Sequence, residues 1–191
     1  MLPPLGLPYN LNDASIANYP ASQSWLSQLE SSFVDTAAYQ KCIQLGDTLI
    51  YQVTNIETAN GEGQLHYGLG MLQPGRVGDE YYLTKGHIHA WVQAAEVYIC
   101  LRGNGMMLLE NIQTGECQAV ALTPQQVVYV PGYTAHRTVN IGDDPLVYWG
   151  VLSSQAGHDY QYVRDNNFKQ VVIQQQGQPV VMRREDYLKA R

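Results

Sequence analysis

The sequence predicts an all-β fold, an antiparallel sandwich or closed barrel, with a few short helices at its margins. Three features point there. From Asp47 onward, short stretches alternate apolar and polar residues with the strand period of two. Turns containing Gly and Pro separate these stretches, and no helical period fills the gaps, which removes the parallel α/β architectures. No repeat long enough for a solenoid occurs.

At 191 residues the chain suits one compact domain plus a terminal extension, long enough to bury a real core. Residues 1–46 read as an arm and short helices, 47–182 as the β body and 183–191 as a charged helix or tail. In the arm, Pro3, Pro4 and Pro8 forbid an early helix and no period is sustained to about residue 24. An extended segment is expected, lying over its own domain or a partner subunit. Ser24 to Leu29 suits a short helix, and Asp35 is placed to cap a second over Thr36 to Leu45, stopped by Gly46.

In the body, Leu49 to Asn55 alternates with Tyr51 and Val53 on one face. Asn60-Gly61-Glu62-Gly63 turns it into a hairpin with Gln64 to Leu72. Gln73-Pro74-Gly75-Arg76 makes the next turn, and Glu80 to Lys85 leads to a histidine pair. After Val97 to Leu101, Arg102-Gly103-Asn104-Gly105 turns the chain toward Met106 to Asn111, and Gln113 to Glu116 turns it again. Gln118 to Leu122, Val127 to Val130, His136 to Ile141 and Leu146 to Leu152 supply further strands. Gly157 to Tyr160 is a polar loop, and Phe168 to Gln174 with Pro179 to Met182 form a closing hairpin.

The net charge of −6 and the lack of a basic run argue against nucleic acid or an anionic membrane surface, and for a small-molecule partner. Cys42, Cys100 and Cys117 are odd in number and form no C-x-x-C pair, so neither a disulfide framework nor a thiolate zinc site is indicated. No secretion signal opens the chain and no apolar run reaches membrane-spanning length; a soluble, cytoplasmic protein is expected.

The chemistry concentrates in Thr84-Lys85-Gly86-His87-Ile88-His89 and in Glu96 beyond it. On a strand, residues two apart share a face, so His87 and His89 aim at one point. Glu96 opens a strand whose inward face it shares with Tyr98 and Cys100, and His136 begins another strand after the Pro131-Gly132 turn. A lone His-x-His on a strand is commonly coincidence; the companions Glu96 and His136 make a metal centre the better reading. Imidazole with carboxylate suits iron, manganese, nickel or zinc with positions left for substrate oxygens, whereas structural zinc favours thiolates.

Four blocks in order resemble the cupin-type phosphoglucose isomerase family: Glu80 to Ala90, Glu96 to Gly103, Val128 to Asn140, and Ala156 to Tyr160. The His89-to-Glu96 spacing and Tyr133 depart from the general cupin pattern in the way that the isomerase branch does. The resemblance implies a double-stranded β-helix (cupin, jelly-roll-like) barrel holding one divalent metal ion per subunit on His87, His89, Glu96 and His136, with iron ahead of manganese, nickel or zinc. It further implies a sugar phosphate in the barrel mouth near Tyr51, Thr84, Gly86, Tyr98, Tyr133, His158 and Tyr160. Where the family carries a Thr and a Tyr near the phosphate, this chain has Gly70 and Leu152. That removes two hydroxyls, each worth about 1.5–3 kcal/mol as a donor to a charge.

The activity so implied, in glycolysis and gluconeogenesis, converts glucose 6-phosphate to fructose 6-phosphate by moving hydrogen between C2 and C1. A metal holding both oxygens would polarise the carbonyl and stabilise a cis-enediolate. Glu96 could shuttle the proton only by loosening from the ion or using its free oxygen, and a metal-assisted hydride shift avoids that demand. Tyr98 is read as aiming its hydroxyl at substrate or at a ligand, His158 as an acid or base in ring opening. Strand alternation turns Lys85 and Arg137 outward, to solvent and to a structural role, and His66 is incidental. Two other classes stay open: another cupin enzyme, such as a dioxygenase, decarboxylase or different sugar isomerase, and a non-catalytic sugar-binding cupin. A homodimer is expected through edge strands and the arm.

Overall fold

The computed structural model describes residues 5–191, so Pro3 and Pro4 of the arm lie outside the described residues. The arm is more structured than its lack of period suggests. Strands β1 (Tyr9–Asn10) and β2 (Ser15–Ile16) pair across a turn in which Asn10 Oδ1 and Asp13 Oδ1 accept the amides of Asn12 and Ser15. Short polar side chains that close on their own backbone build such turns without a hydrophobic period. Ala14 and Ile16 then pack on Ile56, Leu69, Met71 and Val147, so the arm covers its own domain.

β3 (Ser22–Trp25) joins the main sheet, and the expected helix over Ser24 to Leu29 shrinks to one 3₁₀ turn, Leu26–Gln28. Leu26 and Leu29 are fully buried beneath it. α1 (Thr36–Leu45) has the expected bounds: Asp35 Oδ1 accepts the Ala38 amide at 2.9 Å, and Gly46 at φ 131° ends the helix.

The body follows as β4 (Leu49–Glu57), β5 (Leu65–Leu72), β6 (Arg76–Val77), β7 (Glu80–Tyr81), β8 (Glu96–Arg102), β9 (Gly105–Asn111), β10 (Cys117–Leu122), β11 (Val127–Val130), β12 (Thr134–Asn140) and β13 (Leu146–Ser153). β14 (Gln170–Gln175) and β15 (Gln178–Arg183) form the closing hairpin, and α3 (Arg184–Lys189) ends the chain. Before that hairpin lies α2 (Gln161–Asn166), which the sequence does not announce: its N-cap is Tyr160, whose side chain makes no capping bond.

One antiparallel sheet runs β11-β8-β13-β5-β4-β3, a second β10-β9-β12 and a third β15-β14-β7-β6. The mainly-β class holds, and of the two architectures the sandwich is the one observed; no closed barrel forms among the described residues. The principal core joins the first two sheets, with Ile50, Leu72, Cys100 and Tyr148 on one side and Met107, Leu109 and Val139 on the other. Along β8, Glu96, Tyr98 and Cys100 are buried while Val97, Ile99 and Leu101 are half-buried, as the alternation requires. No helix among the described residues is long and apolar enough to cross a membrane.

Candidate active site

His87 and His89 lie on an extended segment rather than a regular strand, held against the free edge of β12. Leu83 faces Val139 and His87 faces His136, with His87 and His136 exchanging both backbone bonds at 3.0 and 3.1 Å. Between these bridges the histidine segment has one residue more than β12. The surplus is taken up as a bulge at Lys85-Gly86, where Gly86 adopts φ 74°. A Cβ on Gly86 would meet Phe168 at 2.8 Å and Arg137 at 3.0 Å, so only glycine fits.

Beyond the bulge, one ligand atom each from His87, His89, Glu96 and His136 lies within 4.8 Å of the others, and all four residues are buried. Their hydrogen bonds test whether the group suits a metal. His89 Nδ1 faces the Ala94 carbonyl at 3.0 Å and His136 Nδ1 the Thr134 carbonyl at 3.1 Å. A carbonyl only accepts, so in each ring Nδ1 carries the N–H and a neutral imidazole offers Nε2 as a lone pair. Both Nε2 atoms nevertheless approach Glu96 Oε2, at 3.3 and 3.0 Å. Two acceptors at that distance require positive charge between them, a proton or a cation. His87 Nε2 is buried without a hydrogen-bond partner among the described residues. The donor set therefore fits a divalent ion of the nitrogen- and oxygen-preferring kind.

Electrostatics agree. Burial, helped by His136 and His158, pushes His87 well below the usual histidine value, so it stays neutral. Burial also disfavours charge on His89, but Glu96 and the Ala94 carbonyl outweigh it and raise its pKa. Burial alone would raise the Glu96 carboxyl; His136 and His89 override it and hold it well below the ordinary carboxylate range.

The group opens into a cavity of about 530 Å³. Tyr51, Thr84, Gly86, Tyr98, His158 and Tyr160 share its wall with His87, Glu96 and His136. His89 stands behind the wall, reaching the group through Nε2. The His158 ring centroid is 4.4 Å from that of His87, and His158 lies nearly parallel to Tyr160. Burial, opposed by Glu96, lowers the His158 pKa. Burial and the Glu96 charge raise the Tyr98 phenol well above its usual value, so it remains a donor. Tyr133 is not part of the wall: it occupies a tight turn at φ 60°, bound through its amide to the Val92 carbonyl. His66 bonds the Ala59 carbonyl at 3.0 Å, away from the cavity.

Tyr148, Gly150 and Arg137 are among the wall residues that sequence reasoning missed. Tyr148 crosses the space above Gly70, and Gly150 sits against Glu96. Their signal was weak, since both lie in an ordinary alternating strand. Arg137, expected to face away, is 2% exposed and also lines the cavity. Alternation misleads there because every residue of β12 is buried, leaving no outward face. Burial, with Arg184 nearby, pushes the Arg137 guanidinium down to about 9, so it is still charged at neutral pH.

The glucose-6-phosphate isomerase family description matches residues 24–190. The chain belongs to that family. It is 38% identical to the glucose-6-phosphate isomerase of Thermococcus litoralis over 178 residues, 93% of each chain. It is also 38% identical to that of Pyrococcus furiosus over 179 residues, 94% of each chain. Among solved structures it is similar to an oxalate oxidase in complex with the substrate analogue glycolate, with TM-score 0.49 and 12% identity, covering 59% of this chain and 56% of that one. The span matched to the isomerase family contains the buried histidine–glutamate group and all of strands β4 to β15.

Proposed function

We propose that the chain interconverts glucose 6-phosphate and fructose 6-phosphate with a divalent metal ion held by His87, His89, Glu96 and His136. The observation that carries this reading is the convergence of four ligand atoms within 4.8 Å at the floor of a sugar-sized cavity. Its likeness over more than nine-tenths of their length to named glucose-6-phosphate isomerases supports the substrate.

The ion would polarise the carbonyl oxygen of the open-chain sugar. Around it, Thr84 and the Gly86 amide bind the phosphate, with Tyr51 and Tyr160 walling the sugar. Tyr98, kept protonated by burial, donates to a sugar oxygen above Glu96. His158, kept neutral, takes the hydroxyl proton that ring opening releases. Ligation to the ion would make Glu96 a weak base, and we read it as a ligand. Hydrogen would then pass as hydride directly from C2 to C1 while the hydroxyl proton moves from O2 to O1, and product made in heavy water carries no deuterium at either carbon.

Iron is the ion we assign first, and a cytosolic homodimer is the assembly. The free edge of β11, with Val127 and Tyr129 more than half exposed, supports edge pairing. A coupled assay with fructose 6-phosphate, in metal-loaded and chelator-treated protein, tests the activity. Turnover abolished by chelator and restored by a divalent ion supports it; metal-loaded protein that binds the sugar without turnover contradicts it.

A further inference from the structure

The cavity wall contains a buried charge without an ionic partner. Arg137 Nη1 bonds Asn167 Oδ1 at 3.2 Å, and Nη2 bonds the Lys85 carbonyl and Ser32 Oγ at 3.4 Å. All these acceptors are neutral. Its Cζ stands 4.6 Å from the Phe168 ring centroid, and Nε is buried with no hydrogen-bond partner among the described residues. Arg184 lies close by, bonded to the carbonyls of Phe168 and Ser32. Neither guanidinium makes an ion pair among the described residues. Glu80 is the acid whose charge reaches both, and its Oε1 already accepts the amides of Val34 and Asp35.

Buried charges in proteins are paired. Here two cations face one carboxylate, leaving an excess of positive charge beside the cavity. The bulge stands directly over it: Gly86 packs on the Arg137 side chain, and Arg137 holds the Lys85 carbonyl. Thr84 Oγ1 accepts the Thr138 amide at 3.1 Å, which leaves its proton free to donate.

Building on the isomerase reading, we propose that Arg137 is the counter-charge of the substrate's phosphate, reaching it from beneath the bulge and replacing the hydroxyls absent at Gly70 and Leu152. The phosphate dianion completes the pairing that the protein leaves open, so phosphorylated sugars are selected over neutral ones by charge as well as by hydrogen bonds.

The test compares wild type, Arg137→Gln and Arg137→Lys in the fructose 6-phosphate assay, with inorganic phosphate as a competing anion, and with metal content and melting temperature measured on each. Arg137→Gln is expected to raise both the KM for fructose 6-phosphate and the Ki of inorganic phosphate by roughly tenfold to hundredfold, the scale of a charged hydrogen bond. KM should change more than kcat, and Arg137→Lys should recover part of both losses. A lowered melting temperature with an unchanged Ki for phosphate would overturn the proposal, leaving Arg137 as a structural tie. If Arg137→Gln does not fold, wild-type protein labelled with ¹⁵N-arginine decides: the protected Nε–H of this buried arginine shifts on adding inorganic phosphate, or it does not and the proposal fails. The ¹⁵N-arginine shift reads phosphate binding without turnover, so a wild type that fails to isomerise yet shows that shift would sink the proposed function alone.

Discussion

The ring of Tyr148 occupies the space that a side chain at Gly70 would need. The two residues are direct cross-strand partners on β13 and β5, and a Cβ at Gly70 would lie 2.5 Å from Tyr148 Cζ and 2.8 Å from its hydroxyl oxygen. The aromatic ring thus covers a glycine and carries a hydroxyl into the cavity wall from the opposite strand. Gly70→Thr is expected to overpack this site and destabilise by about 1–3 kcal/mol. Combining it with Tyr148→Ser should restore most of that loss. Urea denaturation of the single and double variants measures the coupling, and additive losses would show that the ring and the glycine are independent.

Glu96 depends on a second glycine. A Cβ at Gly150 would stand 2.6 Å from Glu96 Oε1, and the backbone on both sides is fixed by the β8–β13 ladder. Gly150→Ala should displace the carboxylate, and second-sphere changes of this kind lower metal affinity by about 10–100-fold. Metal titration of the chelated variant would show this; wild-type affinity would mean the carboxylate has room to turn.

Asp35 links the first helix to the C-terminus. It caps α1 through the Ala38 amide and pairs with Arg191, which also meets Asp79 at 3.1 Å. Burial would raise its carboxyl, but Ala38 and Arg191 together hold it below the ordinary value. A depressed folded pKa contributes stability above the unfolded value, near ~3.9, and that contribution disappears as pH falls through the lower folded value. Asp35→Ala should therefore cost about 0.5–2 kcal/mol at pH 7. The gap between wild type and Asp35→Asn should close toward pH 3. An unchanged gap at pH 3 would remove the charge from this account.

Most strand positions were legible because turn chemistry punctuates them: Val127–Val130 lies between polar turns and has the expected bounds, and the Asp35 and Gly46 caps fix α1. The histidine–glutamate group was legible because ligand chemistry restricts which residues can share an ion. What escaped depended on tertiary context. The bulge at Lys85-Gly86 breaks the alternation that was used to turn Lys85 outward. Arg137 lies on a strand buried on both faces. The helix α2 is short and weakly capped, and the spaces above Gly70 and Gly150 exist only once β13 is in place beside β5 and β8.

The central claim is that His87, His89, Glu96 and His136 hold one ion together. Calorimetric titration of a divalent metal into chelated protein tests it most directly. The wild type should bind one equivalent per chain with release of protons, since metal displaces the charge now shared between the imidazoles and Glu96. His136→Ala and Glu96→Ala should each remove that event while the fold persists. Undiminished one-to-one binding in either variant, or no binding in the wild type, would contradict the account.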